Sequence, residues 1–133
     1  MKQADIRHYW YYVKAELEYL HKKDCERGVP DWIPEDIYAA CVNQQAFFYL
    51  VDDGFVVLRS YIDDDGYLAL LVWVAVSDSN DHGALERNAP AIEQKAQEIN
   101  ARRVVFHSTR PGYLRKARDI GYQFCSSKFV KEL

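Results

Sequence analysis

Tyr67-Leu-Ala-Leu-Leu-Val-Trp-Val-Ala-Val76 is an unbroken apolar and aromatic run, set between Asp-Gly on one side and Ser-Asp-Ser-Asn on the other. Turn formers at both ends, short length and valine-tryptophan content favour a strand buried on both faces over a buried helix. A polar loop, 77–83, follows it, and then a helical pattern with Ile92, Ala96 and Ile99 on one face. A strand that hands over to a helix through a short polar loop can offer backbone N–H groups to an anionic ligand.

Upstream of this handover the period is two. Ala46-Phe-Phe-Tyr-Leu-Val51 predicts a strand, Asp52-Asp-Gly54 a hairpin turn, and Phe55-Val-Val-Leu-Arg-Ser-Tyr-Ile62 the returning strand. Asp63-Asp-Asp-Gly66 then turns the chain into the central run, so three consecutive antiparallel strands are expected. The acidic triplet lacks the alternating ligands and distal glutamate of a calcium loop and reads as a solvated turn.

Further out the period becomes helical. Residues 5–22 place Ile6, Trp10, Val13, Leu17 and Leu20 on one stripe at steps of four and three. Tyr9, Tyr12 and Tyr19 border that stripe, either widening a buried face or forming a half-wet contact surface. A connector at 23–31 leads to a shorter helix over 32–42, with Pro34 in its first turn and Glu35 and Asp36 set against the helix dipole. Ile37, Ala40 and Cys41 form its apolar face.

Downstream, 84–100 is helical in character, with Leu85, Ile92, Ala96 and Ile99 roughly in line. Pro90 leaves two readings open: a helix starting near Asn88, or a longer one interrupted at a cost of ~3 kcal/mol. Arg103-Val-Val-Phe-His-Ser108 predicts another strand. Ser108 or Thr109 caps a helix through Tyr113, Leu114, Ala117 and Ile120, which Gly121 closes. Segments 122–125 and 128–133 predict a final strand pair. The fold class is α+β: a mixed, mostly antiparallel sheet flanked by helices, in a single domain over 1–133. Its order is helix, helix, three strands, helix, strand, helix, two strands.

The 133 residues are 49% hydrophobic and 14% aromatic, enough for one core without covalent staples. A formal charge of -3 provides no basic field, so nucleic acid is not an expected partner. No apolar run approaches the ~20 residues of a membrane span, and the first eight residues lack a signal peptide's apolar core. Cys25, Cys41 and Cys125 are odd in number and without a Cys-x-x-Cys pair. Buried thiols in a reducing compartment are expected, with no disulfide and no metal site. A cytoplasmic location follows.

The order of elements resembles the GNAT N-acetyltransferases over nearly the whole chain, with 1–3 as a stub of that fold's first strand. The most specific piece is Ala117-Arg-Asp-Ile-Gly-Tyr-Gln-Phe124, similar to the family's ending, where a helix closes on Leu-Gly-Phe and enters the last strands. Glu35-Asp-Ile-Tyr38, Gly54-Phe-Val-Val57, Leu71-Val-Trp-Val74 and Arg110-Pro-Gly-Tyr113 resemble small GNAT-like proteins of tailed bacteriophages and prophages, often found among virion genes. The resemblance implies acyl transfer from acetyl-CoA to an amine. It also implies that the fourth family strand, here 67–76, splays from the fifth and holds the pantetheine arm on exposed backbone. Val74 and Val76 would then lie alongside the thioester, and Asn80, His82, Gly83 and Ala84 near the pyrophosphate. The narrower likeness implies a protein partner or homodimer, with phage virion proteins as the candidates.

The chain also departs from that family. Its phosphate loop pattern, (Arg/Gln)-x-x-Gly-x-(Gly/Ala), is met here by Ser77-Asp-Ser-Asn-Asp-His-Gly-Ala84, with one glycine and two carboxylates where phosphates would arrive. The tyrosine that often protonates the leaving thiolate is replaced by Ala117, and the asparagine seven residues before it by Arg110. The central run holds no carboxylate or histidine to act as base. Tyr113 is the candidate acid, and His107 and Ser108 are the polar groups at the next strand's end. Two expectations therefore stand side by side: an acetyltransferase with an altered cofactor loop, and a GNAT-fold binding or structural module that has lost catalysis.

Overall fold

The computed structural model describes residues 1–77, 84–107, 113–125 and 131. Nine elements follow in order: β1 (Lys2–Gln3), α1 (Ile6–Arg27), α2 (Pro34–Val42), β2 (Phe47–Val51), β3 (Gly54–Ile62), β4 (Leu68–Ser77), α3 (Ala84–Glu98), β5 (Arg103–Phe106) and α4 (Tyr113–Asp119). The five strands form one sheet in the order β1-β2-β3-β4-β5. All neighbours are antiparallel except β4 and β5, which run parallel across the α3 crossover.

Alternation sorts each strand's side chains between two layers. Phe55 and Val57 of β3, with Val74 and Val76 of β4, meet Val13, Leu17 and Ile37 from α1 and α2. On the opposite face Val56, Leu58 and Leu70 meet Ile92 and Ala96 of α3. The helices are held by the stripes the sequence predicts, with Ile6, Val13 and Leu17 at most 2% exposed. Asp5 caps α1, its carboxylate accepting from the Arg7 backbone N–H at 3.0 Å.

Several expectations are corrected. α1 extends to Arg27, five residues past the predicted end, before Gly28 caps it. Of the two readings left open at Pro90 the longer helix is found: α3 begins at Ala84 and Pro90 lies inside it. Ile99 is 41% exposed because α3 ends at Glu98 and Asn100 turns the chain with φ 59°. Cys25 and Cys125 are exposed and only Cys41 is half-buried, because the first two lie beyond the packed faces. Residues 122–125 form no strand, having no ladder partner among the described residues, and 128–133 lie, except for Lys131, outside them. Gly121, at φ 95°, does close α4. Among the described residues no helix is long and apolar enough to cross a membrane.

Candidate functional site

Ladder pairing between β4 and β5 runs from Ala69↔Arg103 to Val72↔Phe106 and ends there, while β4 continues to Ser77. Residues 73–77 therefore have β3 on one side and, among the described residues, no strand on the other. The register explains the divergence. Val57 pairs with Val74 and Leu58 with Val72, so Trp73 is an extra residue in β4. Such a bulge bends its strand and increases the local twist. Beyond it lies a wedge whose β4 wall, residues 73–76, has no ladder partner on the β5 side among the described residues.

Both ends of the wedge are fixed by side chains. At the closed end Arg103 Nη1 donates to Asp63 Oδ2 at 3.2 Å and to Asp65 Oδ2 at 2.9 Å. Asp63 in turn accepts from the backbone N–H groups of Asp65 and Tyr67. The acidic turn is thus a clasp holding the start of β5, more than the solvated turn the sequence implied. Arg102 adds a stack on the Tyr67 ring, 3.9 Å from its centroid. At the open end Asp53 Oδ2 accepts from Ser77 Oγ at 2.7 Å and from Arg87 Nη2 at 3.2 Å. One carboxylate therefore ties the tip of β4 to the beginning of α3.

Val74 and Val76 lie in β4 beyond the bulge; they are 7% and 8% exposed and pack towards α1 and α2. They offer the wedge backbone rather than side chain. Ala84 opens α3 and Tyr113 opens α4. His107 is exposed, one residue past β5. Asn80, His82, Gly83 and Ser108 lie outside the described residues, as do Asp78, Asp81 and Arg110. No polar or charged residue among those described is buried.

Sequence reasoning missed Tyr122. Its ring meets Phe106, the last paired residue of β5, edge-on at 4.9 Å. Burial pushes its phenol upward and the negative charge of Glu93 adds to this, so the hydroxyl keeps its proton. The available signal was its place directly after the helix-closing Gly121. Trp73, the bulge residue, lies on the α1/α2 side with the Arg59 guanidinium 4.6 Å over its ring.

Comparison with solved structures supplies the context. A putative acetyl transferase from Pyrococcus furiosus superposes with TM-score 0.67 at 16% identity, covering 99% of each chain. A ribosomal-protein-alanine N-acetyltransferase from Brucella melitensis biovar Abortus 2308 gives 0.65 at 17% identity, over 98% of this chain and 96% of that one. An aminoglycoside N-acetyltransferase solved in complex with CoA gives 0.62 at 12% identity, over 99% and 97%. No protein-family profile and no curated protein sequence matches the chain.

Proposed function

We propose that this chain, whose fold is that of the GNAT acetyltransferases, binds acetyl-CoA in the β4–β5 wedge and transfers its acyl group slowly to an amine. The single observation behind this reading is the open β4 edge beyond the Trp73 bulge. A ligand arm carrying amides fits such an edge, because 73–76 have no ladder partner on the β5 side among the described residues. When bound, acetyl-CoA supplies an activated acyl thioester. The backbone of 73–77 would hold its arm, and the segment entering α3, with Asn80, His82, Gly83 and Ala84, its phosphates.

Affinity is expected to be low. The loop lacks the glycines that allow close backbone approach, and Asp78 and Asp81 repel phosphate charge. Tyr122 is the best-placed described proton donor, with Tyr113 the second candidate. His107 and Ser108 remain the candidates for accepting the amine's proton.

Isothermal titration with acetyl-CoA and CoA at millimolar concentration tests the reading, and saturable heat is expected. Asp78→Asn combined with Asp81→Asn should tighten CoA about three- to thirtyfold, since each near-terminal charge is worth roughly 0.3–1 kcal/mol. Absence of heat and of any thermal shift in both proteins would remove the proposal.

A second reading has one observation in its favour: Tyr11 and Tyr19 of α1 are 96% and 57% exposed. Tyrosines so placed suit a protein-binding surface, including one on a phage particle. Mass spectrometry of purified virions carrying this gene tests it. Absence from particles, together with measurable turnover, would count against that role.

A further inference from the structure

We infer that the amine accepted at the wedge carries its own carboxylate, and that Arg59 binds it. This rests on the transferase reading above and names its substrate class.

The bulge is the starting point. It places two consecutive β4 side chains, Trp73 and Val74, on the α1/α2 face just past the last described β4–β5 pair, Val72↔Phe106. α3, which follows the segment assigned above to the phosphates, packs on the other face. A cofactor entering from the α3 side leaves the α1/α2 face for the acceptor. Arg59 stands on that face. It pairs with Leu71 in the ladder and reaches diagonally to Trp73, lying 4.6 Å over the indole.

Arg59 is half-buried, yet among the described residues no carboxylate pairs with it. Arg103, also on the sheet, has two carboxylate partners, although it is more open to solvent. A guanidinium drawn partly out of water gains from an anion, and the indole face compensates only in part. Stacking also holds the planar fork in place, which favours the bidentate pairing that carboxylates provide. On this proposal the amine reacts at the bulge, beside Arg59, so a carboxylate a few bonds from the amine reaches the guanidinium. A compact amino acid, free or at a chain end, satisfies that spacing better than a polyamine or an aminosugar.

The test uses the whole chain saturated with CoA, titrated with N-acetylglycine and N-acetylphenylalanine and with the carboxamide of each. The acids should bind at least about tenfold more tightly than the amides, as expected of a hydrogen-bonded charge pair. In Arg59→Gln the acid-to-amide ratio should collapse towards one, and in Arg59→Lys it should recover in part. Unchanged melting temperatures would show that both variants fold. If CoA binds and acids and amides titrate alike, or if neither binds, the acceptor class is wrong and the transferase reading stands. Persistence of the ratio in Arg59→Gln would also overturn the role of Arg59. If CoA itself fails to bind, the transferase reading falls and this subsite falls with it.

Discussion

Gly54 matters for what it lacks. In the ladder it faces Ser77, and a Cβ there would run into the backbone carbonyl of Val76. The sequence marks Gly54 as a turn glycine, but its torsion is not left-handed. The constraint is close approach at the tip of the wedge wall. Gly54→Ala should therefore destabilise the fold by about 1–3 kcal/mol in thermal denaturation, as overpacking commonly does. It should also weaken CoA, because the displaced strand is the one that holds it. Cys41 is governed by burial instead, which pushes its thiol from 9.0 up to about 11. A raised thiol favours the neutral form in the folded state. Its contribution is complete below pH 9.0 and is lost as pH rises towards about 11. Iodoacetamide near pH 8 should thus label Cys25 and Cys125 well before Cys41, read by peptide mass spectrometry. Equal labelling of all three would contradict the packing around α2.

The elements at the wedge owe their placement to contacts distant in sequence. Pro90 removes a backbone donor inside α3, so the stretch before it has one fewer internal hydrogen bond. Asp53, through Arg87 and Ser77, links that stretch to the sheet. Asp53→Ala should speed amide hydrogen exchange at 86–89 while leaving 92–96, anchored by buried Ile92 and Ala96, unchanged. Arg103→Gln is the matching test at the closed end. Releasing Asp63 and Asp65 should speed exchange at Val104 and Val105 with only a small change in global melting, because these pairs are exposed. These elements also show where sequence reading stops. The period of β4, the hairpin before it, the α1 stripe and Gly121 are local signals, and each produced its element. Where β5 stops pairing, which residue bulges, and that Asp63 reaches Arg103 are decided by tertiary contacts. No window along the chain contains both partners. The same limit explains Tyr122, whose role depends on meeting Phe106 across the fold.

At the scale of the molecule, the sheet divides the interior into two unequal layers, and the wedge arm belongs to one of them. Among the described residues Val74 and Val76 are anchored to β3 and to the α1/α2 layer, past the last β4–β5 ladder pair. Loosening that layer should therefore reach the wedge even from a distance. Leu17, fully buried on α1, gives the cleanest test. Leu17→Ala should cost about 2–5 kcal/mol of stability. At a temperature where the variant remains folded, it should also weaken CoA more than Ala96→Gly, a change in the opposite layer. The outward side of the same helix makes the contrary prediction. Tyr11 is almost wholly in solvent, so Tyr11→Ser should change stability by no more than about 0.5 kcal/mol. If α1 serves the wedge only through its buried stripe, Tyr11→Ser and Tyr19→Ser will leave CoA titration untouched. If instead the helix docks a protein, the same pair will abolish capture of that partner at unchanged melting temperature. One helix thus carries both readings on separate faces, and the two sets of substitutions test them independently.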